Sequence, residues 1–110
     1  MLLMKKRFFD VIRSGAKTTT LRYWLRCCVR PDSIQTVPGL GRVRIDAAEP
    51  VDLDKLNDED ARADGFESIN SLLHALDELY PPSSRQGRTL YRIRFTYLTE
   101  SEPPLGSSDT

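Results

Sequence analysis

Apolar positions recur along this chain with two different periods. Phe8, Val11 and Ile12 stand at i, i+3 and i+4, and Phe9 and Ile12 add an i+3 pair. This spacing predicts a short helix over 5–14, with Asp10 and Arg13 facing away and Gly15 as its stop. Residues 17–24 switch to β propensity: three threonines precede Leu21, Arg22, Tyr23 and Trp24. Alternation sets Thr19, Leu21 and Tyr23 on one face, and Thr18, Thr20 and Arg22 on the other. Residues 25–39 have no clean period and carry turn signals at Arg30-Pro31-Asp32 and Pro38-Gly39. They read as a loop with one short strand at 34–37. A clear strand follows at 41–47, where Val43, Ile45 and Ala47 alternate with Arg42, Arg44 and Asp46.

Residues 50–64 are acidic, with Leu53 and Leu56 as isolated anchors and Asn57 or Asp58 as the cap of a short helical turn through Arg62. Gly65 breaks it, and Ser68 can cap a second helix. Ile69, Leu72, Leu73, Leu76 and Leu79 make one apolar stripe that ends at Pro81-Pro82. The last strand spans 89–99, with Tyr91, Ile93, Phe95 and Tyr97 opposite Arg92, Arg94 and Thr96. Residues 100–110 hold no core-forming pattern and read as a disordered tail. The order of elements implies an α+β domain over 1–99: a small, mostly antiparallel barrel flanked by two main helices.

Composition narrows the class. The chain has 110 residues, 39% of them hydrophobic and 29% charged. That is globular composition, and it excludes a disordered chain, a coiled coil and a collagen-like repeat. No apolar run approaches the roughly 20 residues of a membrane helix. The start, Met1-Leu2-Leu3-Met4 before Lys5-Lys6-Arg7, reverses the charge order of a secretory signal. These features imply a cytoplasmic protein with no membrane partner, and a monomer is favoured. Cys27 and Cys28 are adjacent, an arrangement that rarely closes a structural disulfide. With His74 far away in sequence and expected to be exposed, the two thiols do not make a zinc site, and no metal or cofactor is implied.

Charge is segregated although the net is zero. Residues 1–44 carry ten cations and two acids, residues 45–78 carry eleven acids and two cations, and residues 79–99 add four arginines. If the first and last strands lie together they build a basic face for a polyanion. The alternative is interleaved surface charge with ion pairs between the segments.

One stretch suggests chemistry. The helix with paired aromatics runs into Ser14-Gly15-Ala16-Lys17-Thr18-Thr19-Thr20-Leu21-Arg22, and Ala63-Asp64-Gly65-Phe66 precedes the leucine-striped helix that ends at Tyr80-Pro81. A threonine hydroxyl is a nucleophile only if a base takes its proton, and Lys17 can do so only as a free amine. Its pKa would have to fall through burial or the neighbouring cation Arg22, and a nearby Asp64 would oppose the fall. Strict alternation sets Lys17 and Thr20 on opposite faces, so the turn must break the pattern at Lys17. Otherwise Lys17 is a surface phosphate contact.

This arrangement resembles the ASCH domain family, over about residues 3–99. The resemblance implies a β-barrel related to the PUA fold and RNA binding in the cleft beside the Gly-x-Lys-Thr-x-Thr-Leu-Arg motif. Some small members are amidohydrolases that remove the acetyl group from acetylcytidine. Carried onto this chain, that chemistry makes Lys17 the base and Thr20 the nucleophile, with Asp64 at the position of the family's glutamate proton donor. An aspartate there is one methylene shorter, and the spacing to Tyr80 is one residue longer than in those members. The favoured function is an RNA- or nucleotide-binding module that uses Lys17, Arg22, Trp24, Arg42, Arg44, Arg92 and Arg94, with Tyr23 or Trp24 able to stack a base. The hydrolase is the alternative, and a protein-interaction domain with a vestigial cleft is a third class.

Overall fold

Alternating apolar residues build four strands in the computed structural model, which describes residues 2–99. They are β1 (Thr19–Trp24), β2 (Ile34–Val37), β3 (Gly41–Pro50) and β4 (Thr89–Leu98). They form one antiparallel sheet in the order β1-β4-β3-β2. The connecting helices are α1 (Phe9–Arg13), α2 (Asp58–Ala63) and α3 (Ile69–Leu79). The α+β class therefore holds, while the tail expected to be disordered lies outside the described residues.

Both faces of the sheet are covered. Val43, Ile45, Ile93 and Phe95 pack against Phe9 and Ile12 of α1, with Leu2, Val29, Val37 and Leu40 closing that core. On the other face Leu21, Tyr23 and Leu90 meet Ala61 of α2 and Leu72 and Leu76 of α3. Burying each of those two leucines stabilises the fold by roughly 1.5–3 kcal/mol. The caps follow the sequence: Asn57 and Asp60 form a reciprocal capping box on α2, and the Ser68 side chain accepts from Ser71 N–H on α3.

Three expectations need correction. The sheet does not close into a barrel, because β1 and β2 stay at opposite edges. The outer edge of β2 is instead met by the N-terminal segment, where Leu2 N–H donates to Thr36 O at 2.9 Å. The expected pair of main helices is one long helix, α3 with 11 residues, and two short ones. Residues Lys6–Phe8 wind as a 3-10 turn, since Lys5 at its start offers no side-chain acceptor to the free N–H groups. Finally, β3 runs on to Pro50 through a β-bulge between Ile45 and Ala47, which shifts its phase. Ala48, not Ala47, therefore joins the core.

Candidate functional site

The turn that follows α1 brings Lys17 inward. Gly15, with φ of +85°, stops the helix, and Lys17 N–H returns to Val11 O at 2.9 Å. Thr18 N–H then bonds Ala63 O of α2 at 2.8 Å, and β1 starts only at Thr19. The strand alternation thus does not yet apply at Lys17. Its side chain is 3% exposed and lies under the Phe8 ring, with Nζ 4.7 Å from the ring centroid.

Asp64 ends α2 and meets this lysine. Lys17 Nζ donates to Thr19 O at 2.7 Å and to the main-chain oxygen of Asp64. It stands 3.6 Å from Asp64 Oδ2, an ion-pair rather than a hydrogen-bond distance. The cation therefore also satisfies a carbonyl at the end of α2, where positive charge is favoured. Thr19 Oγ1 donates to Asp64 Oδ1 at 3.1 Å. Gly65, at φ +93°, makes room for the arrangement: a Cβ there would lie 3.2 Å from both Lys17 Cδ and the Phe8 ring.

Burial dominates the electrostatics. It pushes the Lys17 amine down to about 8, against the opposing pull of Asp64, and pushes the Asp64 carboxyl up to about 6, against the opposing pull of Lys17. Both groups are mainly ionised at neutral pH. Burial likewise lowers Arg22, whose Nε donates to Thr20 Oγ1 at 3.0 Å. Its Nη2 is anchored on Leu3 O and lies 3.6 Å from Met4 Sδ.

These groups share one cleft of about 300 Å³ along the outer edge of β1. The N-terminal segment with Leu3, Met4 and Phe8 makes one wall, and α3 with Leu72, Leu76 and Tyr80 makes the other. Lys17, Thr20, Arg22 and Asp64 all line it, with Lys5 and Arg7 on the same surface. So the turn after the first helix and the start of the segment leading to α3 do meet across one hollow, lined by four cations and one carboxylate.

The remaining arginines lie elsewhere. Arg92 pairs with Glu49 at 3.0 Å and Asp60 at 3.2 Å, Arg94 with Glu49 at 3.5 Å, and Arg44 with Asp46 at 2.9 Å. Neither these nor Arg42 lines the cleft. The acidic middle segment is thus interleaved with the β4 arginines, and the continuous basic face does not form. Trp24 also stays out of the cleft and packs on Tyr91 at 6.1 Å, while Tyr23 is buried against Tyr80 at 5.4 Å. His74 is exposed, and no group of potential metal ligands occurs among the described residues. No described helix is long and apolar enough to cross a membrane.

Pattern reading missed the parts of Phe8, Phe66 and Tyr80 in the cleft. Phe8 and Phe66 pack edge to face at 5.5 Å beside Lys17. Phe8 reads in the sequence as part of the α1 stripe; the position of Phe66 and Tyr80 just outside the α3 stripe is the available signal.

In this geometry the ammonium of Lys17 directs its protons at acceptors within the protein, not at Thr20, whose oxygen accepts from Arg22. The site holds a fixed internal charge pair, a hydroxyl and a guanidinium between apolar walls. That suits polar recognition inside an aromatic-lined slot.

No protein-family model matches this sequence, and neither does any curated protein. Solved structures do resemble it. The hypothetical protein PH0355 shares 16% identity with a TM-score of 0.72, over 87% of this chain and 95% of that one. The ASCH domain from Lactobacillus crispatus JV V101 shares 13% identity with a TM-score of 0.67, over 80% of this chain and 68% of that one. Protein EF3133 from Enterococcus faecalis V583 shares 18% identity with a TM-score of 0.57, over 82% and 69%. At such identities the likeness is one of fold, and a fold alone does not carry an activity. The chain has the fold of an ASCH domain.

Proposed function

We propose that this protein is an RNA- or nucleotide-binding module whose cleft beside β1 takes one unpaired nucleotide. The carrying observation is the combination in one hollow of Arg22, Lys17 and Thr20 with the apolar walls of Phe8, Phe66 and Tyr80. A base would lie between the walls, with Thr20 as a polar contact, and Arg22, Lys5 and Arg7 would meet the phosphate. The test is titration of a labelled single-stranded RNA by anisotropy at several salt concentrations. Micromolar affinity that weakens with salt supports the reading, and affinity that is absent or indifferent to salt refutes it.

A second reading, removal of the acetyl group from acetylcytidine, draws on the presence of Lys17 and Thr20 in the lining of the same cleft. With the amine pushed down to about 8, roughly one-tenth of it is free at pH 7. For Lys17 to accept the Thr20 proton it would first have to leave its acceptors at Thr19 and Asp64. Acetate release from acetylcytidine, lost in Lys17→Ala and Thr20→Ala, supports this reading; normal turnover in either variant removes that residue's role.

A further inference from the structure

The floor of the cleft is an unpaired strand edge. Phe95 N–H donates to Thr18 O at 2.9 Å, which sets the ladder phase between β1 and β4. In an antiparallel pair the residues that exchange hydrogen bonds alternate with residues whose N–H and C=O point away. Thr20, Arg22 and Trp24 therefore bond to β4, while Thr19, Leu21 and Tyr23 turn their main-chain groups outward. The independent bonds agree: Thr19 O accepts from Lys17 Nζ, and Tyr23 O accepts from Arg88 Nη1 at 3.4 Å.

Leu21 is the residue between them. Its N–H and C=O turn away from β4, and no hydrogen bond from another described residue reaches either group. Leu21 itself is 6% exposed and lines the cleft. A donor and an acceptor so placed are costly to leave unmade, and natural interiors rarely leave them so. The edge is too short for another strand, because on either side Thr19 O and Tyr23 O already have partners. At Leu21 a donor and an acceptor therefore remain side by side, on a residue that lines the hollow of about 300 Å³.

From this, and resting on the nucleotide reading above, we propose that the main-chain N–H and C=O of Leu21 bind the Watson–Crick edge of an unpaired nucleobase as a two-bond pair. A base edge that sets an acceptor beside a donor, such as N3 and the exocyclic amine of cytosine or O4 and N3–H of uracil, matches one extended residue. The walls fix the plane of the ring, and Arg22 and Arg7 lie close by for its phosphate. A base engaged in a duplex has no free edge to offer, so the site discriminates against double-stranded ligand without contacting the second strand.

The experiment is a titration of the isotopically labelled protein with uridine and cytidine 5′-monophosphates. Alongside are 3-methyluridine and N4,N4-dimethylcytidine 5′-monophosphates, in which the donor of that edge is blocked. In the free protein the Leu21 amide should exchange with solvent faster than those of Thr20 and Arg22. Unmodified nucleotides should shift and protect the Leu21 amide, and the methylated ones should bind roughly tenfold more weakly or worse, as expected for a lost member of a two-bond pair. Equal binding of modified and unmodified nucleotides, with no Leu21 shift, overturns this inference and leaves nucleotide binding in place. Failure of every nucleotide and of single-stranded RNA to bind overturns both.

Discussion

Replacing Lys17 with methionine removes the cation paired with Asp64 while keeping an unbranched apolar stem. Burial already pushes the Asp64 carboxyl up to about 6, and Lys17 is the largest influence holding it down. Without that cation the carboxyl must titrate higher still. The native variant then keeps a proton that the unfolded chain, with its ordinary value of 3.8, has released. Its stability therefore falls as pH rises, by about 1.4 kcal/mol per unit, until the new native value is passed. In the wild type this decline stops near pH 6. The lysine, pushed down to about 8, adds no slope below that value. Between pH 6 and pH 8 Lys17→Met should thus lose about 1–3 kcal/mol relative to wild type. For a domain of this size that is roughly 5–20 °C in Tm. Below pH 5 the variant should match or exceed the wild type, since the carboxyl is neutral and no buried ammonium remains. Thermal unfolding followed by circular dichroism at pH 5, 6, 7 and 8 reads the effect. Parallel Tm curves for the two proteins between pH 6 and 8 would refute the buried charge pair.

Other consequences are as direct. Gly65→Ala should cost about 1–3 kcal/mol in urea unfolding, since the residue sits at φ +93° and the added methyl meets Lys17 and Phe8 at 3.2 Å. Leu76→Ala should cost about 2–5 kcal/mol by the same measurement, because the side chain is 3% exposed between α3 and β1. Arg22→Ala should weaken single-stranded RNA binding about tenfold and lower its salt dependence, with its fold verified by circular dichroism. Arg94→Ala, whose partner is Glu49 outside the cleft, should bind as the wild type does. Equal losses in both variants would place RNA binding outside the cleft, on the surface that carries Arg94.

The element types were legible because they depend on local spacing. The β4 alternation, the buried Leu72 and Leu76 of the α3 stripe and the caps at Asn57 and Ser68 appear in the structure as the pattern implies, whereas Leu79 at the end of that stripe is half exposed. A local pattern failed where one residue shifted its phase. The bulge near Asp46 exchanged Ala47 for Ala48 in the core, because the ladder skips a residue there; Arg44 and Thr96 both bond that aspartate. The charge blocks misled for a different reason. Sequence runs of one sign say nothing about which strand lies opposite, and Glu49 stands across from Arg92 in the β3–β4 register.

By itself, then, the amino-acid order determined that this chain is α+β, where its strands and longest helix lie, and that Lys17, Thr20 and Asp64 were the residues to watch. Only the tertiary structure decided that Lys17 and Asp64, 47 positions apart, form a buried pair. It also decided that the β4 arginines are spent on neighbouring acids, and that β1 keeps a free edge at Leu21. The division has a physical cause. Helix and strand periods are set by neighbours within a few residues, whereas a charge pair or an unmade backbone bond depends on which distant segments pack together.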